Sequence, residues 1–258
     1  EMVLQTEFAQ IKGNDLYIDD VKATDLVKQY GSPLYVMSEG HIRKQFNTLK
    51  TKMIDKYENT LSLFASKSFS CKAIYKLAME YGVGIDCVSA GEISVALKAG
   101  FDPKKIYFHG NNKLPSEIQY ALENGVENFV IDNFYEIELV EEIASKLNVM
   151  VNGLVRITPG VYAGGHDYIR VGAKDTKFGF SSHDNTYLKA IKKVIDAPHI
   201  NFDGIHCHVG SQIEEIQAYV LAMNKFVDIA YEIYDIFGIV INKLNAGGGF
   251  GIQYTASD

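Results

Sequence analysis

The chain reads as an α/β protein folded as a (β/α)8 barrel of the TIM type, and three observations predict it. From Leu61 onward, short β-rich runs alternate with amphipathic helical stretches, seven times in succession. Parallel strands need such crossover helices, so the alternation implies a parallel sheet, and seven consecutive units suit a barrel better than a doubly wound sheet. Polar residues also gather at the C-terminal ends of the strands, where barrels of this kind carry their active sites. They are Lys67, Asp86, Ser89, His109, Asn111, Asp132, Arg156, His206, His208, Ser211 and Gly247 to Gly251.

The elements follow in order. Leu61, Leu63, Ala65 and Lys67 fall on one face of an extended run, because side chains alternate with period two. Lys67 is thus expected in phase with the buried face at the strand's exit. Ile74, Leu77, Ala78 and Tyr81 line one side of a helix from Cys71 to Tyr81. Ile85 to Val88 is a strand. Ala90 to Ala99 is a helix stopped by Gly100. A strand at 105–109, a helix at 115–124, a strand at 128–131 and a helix at 135–147 continue the pattern. Gly153 to Ile157 is a strand, followed by a long loop from Thr158 to Thr176. Then come a helix at 185–195, a strand at 202–208, a helix at 212–237 and a strand at 243–246. No eighth unit follows Tyr254 to Asp258, so the chain reads as the N-terminal piece of a longer protein.

Composition narrows the function. Apolar residues make up 47% of 258, enough for a substantial core. Twenty-five lysines and arginines against 32 acidic residues give −7, which argues against a nucleic-acid binder. No apolar run reaches the length of a membrane span, and the N-terminus lacks a signal pattern. Cys71, Cys87 and Cys207 are scattered and form no Cys-x-x-Cys pair, which fits a reducing, cytoplasmic setting.

Each chemical motif has a plain structural alternative. Burial would lower the pKa of Lys67 and make its amine a nucleophile toward an aldehyde, whereas read alone Lys67 is a strand-end lysine reaching for water. Gly247-Gly-Gly-Phe-Gly251 lets backbone N–H groups approach a phosphate, or serves a turn that needs positive φ. It does not satisfy Gly-x-Gly-x-x-Gly, so a dinucleotide site is disfavoured. His206 and His208 lie two apart on one strand face and could bind zinc, but no matching carboxylate cluster is evident. Either could be a hydrogen-bonded core residue, or an imidazole lying flat over an aromatic cofactor. His208-Val-Gly-Ser211 favours the last, since Ser211 adds a hydroxyl and Gly210 adds backbone access. Arg156 is always charged and needs a partner, with Asp86 a candidate. Lys177 in Lys177-Phe-Gly179 reads as an exposed loop lysine, and His166 with Asp167 as part of a glycine-rich loop that could act as a lid.

Together these segments closely resemble the fold-type III pyridoxal-phosphate decarboxylases of amino acids. The resemblance rests on Phe64-Ala-Ser-Lys67, Gly84-Ile-Asp-Cys-Val-Ser-Ala-Gly-Glu92, Ile106-Tyr-Phe-His-Gly-Asn111 and Leu154-Val-Arg-Ile-Thr-Pro159. It continues through Lys177-Phe-Gly179, His206-Cys-His-Val-Gly-Ser-Gln212 and Leu244-Asn-Ala-Gly-Gly-Gly-Phe-Gly251. Within the family, the Gly-Ser-Gln ending resembles the branch acting on meso-diaminopimelate, in lysine biosynthesis, rather than the ornithine branch.

The resemblance implies a barrel of the alanine racemase-like class whose eighth strand and C-terminal β-domain are not in this chain. Residues 1–40 would belong in part to that β-domain, and 41–258 would be the barrel that binds pyridoxal 5'-phosphate. Lys67 would hold the cofactor through its amine and, with His208, act in catalysis. His208 would stack on the pyridine ring, and Ser211 with Gly247, Gly248 and Gly249 would hold the phosphate. Asp86, Arg156 and Lys177 would lie around the cofactor and Lys67. The family's carboxylate partner of the ring nitrogen, in a Glu-Pro-Gly-Arg segment, is not in this chain. Nor are the cysteine and tyrosine that a second subunit presents, so a homodimer with shared sites is implied. Ser66 and Ser68 stand where the family usually has valine and alanine. Decarboxylases of ornithine, arginine or carboxynorspermidine are the alternative enzymes, and a non-catalytic regulatory homologue is the alternative of another class.

Overall fold

The computed structural model describes residues 7–160 and 177–252. It divides into two compact units, Glu1–Ser62 with Leu77–Val83 and Gln253–Asp258, and Leu63–Lys76 with Gly84–Ile252.

In the first unit β1 (Ala9–Lys12), β2 (Asp15–Ile18) and β3 (Val21–Lys22) form an antiparallel sheet in the order β1-β2-β3. Two helices follow, α1 (Ala23–Tyr30) and α2 (Glu39–Leu49). Ser38 caps α2 by accepting from the His41 N–H at 3.0 Å. Phe46 is the buried residue of α2 and stacks on Tyr81 at 6.1 Å.

The second unit holds the predicted alternation. Its strands are β4 (Leu63–Ala65), β5 (Gly84–Cys87), β6 (Ile106–Phe108), β7 (Asn128–Ile131), β8 (Val151–Thr158), β9 (Phe180–Ser181), β10 (Ile200–His206) and β11 (Lys243–Asn245). The helices between them are α3 (Lys72–Glu80), α4 (Ala90–Ala99), α5 (Pro115–Glu123), α6 (Phe134–Leu147), α7 (Thr186–Ile195) and α8 (Ile216–Phe237). Seven strands run in parallel in the order β11-β10-β8-β7-β6-β5-β4, with β9 a short parallel addition to β8. Strands such as β7, buried at all four residues, read as unbroken apolar runs because the sheet is covered on both faces. The helices supply that cover, through Ile93, Ala96 and Ala99 of α4 and through Ala190, Ile191 and Val194 of α7. Gly100 ends α4 in the left-handed region, and the Ser89 hydroxyl caps its start.

The sheet curls into an incomplete barrel. His109 follows β6 and His206 ends β10, three strands away, which in a flat sheet would separate them by roughly 14 Å. Their ring centroids are 5.0 Å apart. Lys243 of β11 likewise sets its Nζ 5.5 Å from the centre of the Tyr107 ring on β6, four strands away. Leu63 packs inside against a buried cluster of Tyr107, Val130 and Leu154. Curvature of this kind turns the strand ends toward one another.

Candidate active site

Lys67 lies in a 3-10 turn, Ser66–Ser68, directly after β4. The turn overturns the expected phase: β4 stops at Ala65, so Ser66 is buried and Lys67 exposed. Burial therefore does not activate this amine. Its position still brings it into a charged cluster, because its ammonium depresses the pKa of His208.

The neighbouring strand exits supply the rest. Asp86 of β5 places Oδ1 2.9 Å from Nε2 of His109, and Arg156 of β8 places a guanidinium nitrogen 3.5 Å from Asp132. The expected Arg156–Asp86 pair is not formed. β8 pairs with β7, so the exit of β7, at Asp132, is the carboxylate nearest to hand. The guanidinium also lies 4.5 Å from the centre of the Phe178 ring, giving the Lys177-Phe-Gly179 segment a role that its sequence did not reveal. Gly179 has φ +71, and a Cβ there would crowd the Arg156 carbonyl. Lys177 is exposed over the same ring, and His166 and Asp167 lie outside the described residues.

β10 ends at His206, so His206 and His208 do not share a strand face. His206 is buried against His109, while His208 is half-buried in the turn beyond. Burial pulls the His208 imidazole down to about 4, assisted by the charges of Arg156, Lys67 and His109 and opposed by Asp86. Burial also lowers His206 well below the ordinary histidine value, with His109 and Arg156 adding to it. Burial pushes the thiols of Cys87 and Cys207 up to about 12, so neither supplies a thiolate near neutral pH. Among the described residues no group of three or more metal-ligating side chains is present.

These shifts predict a pH dependence. A histidine with a depressed pKa in the fold takes up its proton more readily when unfolded. The stability contributed by His208 is therefore complete above about pH 6.5 and lost as pH falls toward 4, and His206 adds a loss of the same sign. Urea midpoints of the full-length protein should fall across that window, and fall less in a His206→Gln/His208→Gln variant. Parallel curves for the two proteins would contradict the assignment.

The glycine segment lies beside the turn after β10. Gly249 O accepts from Ile213 N–H at 2.9 Å, Gly251 N–H donates to Ile213 O at 2.8 Å, and Ser211 is exposed in between. Gly247 and Gly249 have φ +72 and +88. A Cβ on either would overlap a carbonyl of this turn, Cys207 O or Gly210 O. Close packing thus accounts for two of the three glycines. Gly248 has open space at its Cβ position, and neither its N–H nor that of Gly249 has a partner among the described residues.

Four buried polar atoms converge without a hydrogen bond: Asp86 Oδ1, His109 Nε2, Asp132 Oδ1 and His206 Nδ1. The first two lie 2.9 Å from each other, and Asp132 Oδ1 lies 3.5 Å from an Arg156 nitrogen, so His206 Nδ1 is the one of the four without an ionic neighbour. The cluster offers an amine, a guanidinium, an uncharged imidazole and free backbone N–H groups at the open end of a parallel (β/α) sheet. Such a set is chemically suited to an anionic carbonyl compound.

Residues 39–258 match the family described as pyridoxal-dependent decarboxylase, pyridoxal binding domain. The chain belongs to that family. It is 42% identical over 257 residues to the diaminopimelate decarboxylase of Bacillus subtilis, covering 100% of this chain and 58% of that protein. It is 34% identical over 257 residues to the one from Methanocaldococcus jannaschii. A crystal structure of diaminopimelate decarboxylase from M. jannaschii in complex with L-lysine superposes with a TM-score of 0.89 at 33% identity, covering 99% of this chain and 60% of that one. The chain spans a little over half the length of the relatives it matches. The cofactor of the family is pyridoxal phosphate, and the residues present fit it. The exposed Lys67 amine, the Arg156 guanidinium and the unpartnered N–H groups of Gly248 and Gly249 match an anionic aromatic aldehyde in charge and reactivity. No helix among the described residues is long and apolar enough to cross a membrane.

Proposed function

We propose that this chain is the cofactor-binding part of a diaminopimelate decarboxylase, which releases CO2 from meso-2,6-diaminopimelate to leave L-lysine in the last step of lysine biosynthesis. The observation that carries the reading is the convergence of Lys67, Asp86, Arg156 and His208 at one end of the sheet, in a chain 42% identical to such an enzyme. The bound cofactor supplies an electron-accepting ring to the carbon that loses CO2.

The chain's own residues then have distinct tasks. Lys67 would hold the cofactor through its amine, the nucleophile that an aldehyde calls for, and its exposed side chain is free to move. His208, kept uncharged by burial and by the cations around it, would stack on the cofactor ring without adding positive charge beside it. Ser211 and the N–H groups of Gly248 and Gly249 bind the phosphate, and Gly247 sets their approach. Asp86 keeps a carboxylate near the Lys67 amine, balanced by Arg156 across the site. Lys177 borders the site through Phe178. The enzyme acts in the cytoplasm as a homodimer with shared sites, and residues 1–40 belong in part to a β-domain completed by the rest of the protein.

CO2 release by the full-length holoenzyme tests this reading. We expect turnover of meso-diaminopimelate and none of ornithine, arginine or carboxynorspermidine. A preference for one of those three would reassign the substrate, and release from none would make the protein a non-catalytic homologue.

A further inference from the structure

Ser66, next to Lys67, is fully buried although it is a serine. Its hydroxyl donates to Glu92 Oε2 at 2.5 Å, and the same oxygen accepts the Val88 N–H at 2.7 Å. Glu92 lies in the first turn of α4, where Ser89 caps the helix. One carboxylate oxygen thus ties the turn after β4 to the exit of β5, two residues beyond Asp86. The turn is closed on itself as well: Phe69 N–H donates to Ser66 O at 3.1 Å, and the Ser68 hydroxyl to Ala65 O at 2.8 Å. A buried hydroxyl bonded to a carboxylate cannot move without leaving a desolvated charge short of a donor. Lys67 is one planar peptide away, so fixing Ser66 fixes the base from which its side chain extends.

We infer that Ser66, through its hydrogen bond to Glu92, is a positioning residue that presents the Lys67 amine to the cofactor aldehyde at a fixed distance from Asp86. The inference rests on the reading that Lys67 carries the cofactor. It gives Ser66, which stands where the family usually has valine, a task within this chain. Ser66 touches neither substrate nor cofactor and acts through the turn.

The rate of covalent attachment tests it. Apo full-length protein is mixed with pyridoxal 5'-phosphate, so that the Lys67 amine adds to the aldehyde carbon and water leaves. Borohydride then reduces the C=N bond, and the labelled peptide is quantified by mass. Ser66→Ala should attach about tenfold more slowly, the factor that one charge-assisted hydrogen bond is worth at its low end. Its affinity for pyridoxine 5'-phosphate, which has no aldehyde to trap, should match the wild type. Glu92→Ala, which also frees the Val88 N–H, should be at least as slow, and Ser66→Ala/Glu92→Ala no slower than Glu92→Ala, because the two changes share the Ser66–Glu92 bond. Glu92→Gln keeps an accepting oxygen and should stay within about threefold of wild type. Attachment by Ser66→Ala at the wild-type rate overturns the inference. So does an equal loss of pyridoxine phosphate affinity, or slowing by the two changes that multiplies. Should Ser66→Ala not fold, the contrast between Glu92→Gln and Glu92→Ala decides alone. Absence of label on Lys67 in the wild type would instead sink the functional reading beneath it.

Discussion

Replacing Lys67 with alanine in the full-length protein is expected to remove the borohydride-trapped cofactor bond and to slow CO2 release by about a hundredfold or more, the loss that misplacing a reacting group costs. The expectation does not rest on burial, since Lys67 is exposed beyond the end of β4. It rests on neighbourhood. The Lys67 ammonium acts on His208, which also feels Arg156, His109 and Asp86, so the charges of five strand exits overlap at one imidazole. Lys177 is a competing amine at the border of the site, through Phe178 beside Arg156. Peptide mapping of the reduced protein separates the two. Label on residue 67 in the wild type and none in Lys67→Ala supports the assignment, whereas label on Lys177, or an undiminished adduct in the variant, refutes it.

The alternation that predicts the barrel is written in residues whose local and tertiary preferences agree. α4 has the bounds its pattern implies because a serine cap, an apolar face and a left-handed glycine coincide there. Boundaries were misjudged where backbone conformation overrode pattern. The strand through His206 stops two residues early because the chain turns before Gly210, at φ +140. α8 starts at Ile216 rather than Gln212 because Gln212 is left-handed and Ile213 bridges to Phe250. Lys67 fell out of phase for a related reason, its strand giving way to a 3-10 turn one residue sooner. The partner of Arg156 was illegible because it depends on strand order, which puts Asp132 next to β8 and Asp86 two strands further along. Lys113 and Glu136 lie outside every motif, and Glu92 and Phe178 stand within motifs without showing a task there. Their roles exist only once distant exits are brought together.

Lys113 shows how much rests on such residues, and Lys113→Met should destabilise the protein by about 3–5 kcal/mol, the usual cost of orphaning one member of a buried ion pair. Its ammonium has no exposed surface and is fully bonded, to Glu136 Oε1 at 2.6 Å, Val130 O at 2.7 Å and Gly110 O at 2.8 Å. The other oxygen of Glu136 accepts the Asp132 N–H at 2.9 Å. One pair thus clamps the loop bearing His109 to the exit bearing Asp132. Burial raises the pKa of the Glu136 carboxyl, with Lys113 and the Asp132 N–H pulling it back. Without Lys113 the pKa rises further, so the charged form is penalised above that value and relieved below it by protonation. The deficit of Lys113→Met relative to wild type, from urea denaturation, should therefore narrow as pH falls. Lys113→Met/Glu136→Leu should recover part of the loss at pH 8, since no buried charge is left alone, but not all of it, since the carbonyls of Gly110 and Val130 still lack their donor. A deficit independent of pH, or a double variant as unstable as the single, would mean that packing rather than the ion pair holds this floor of the site together.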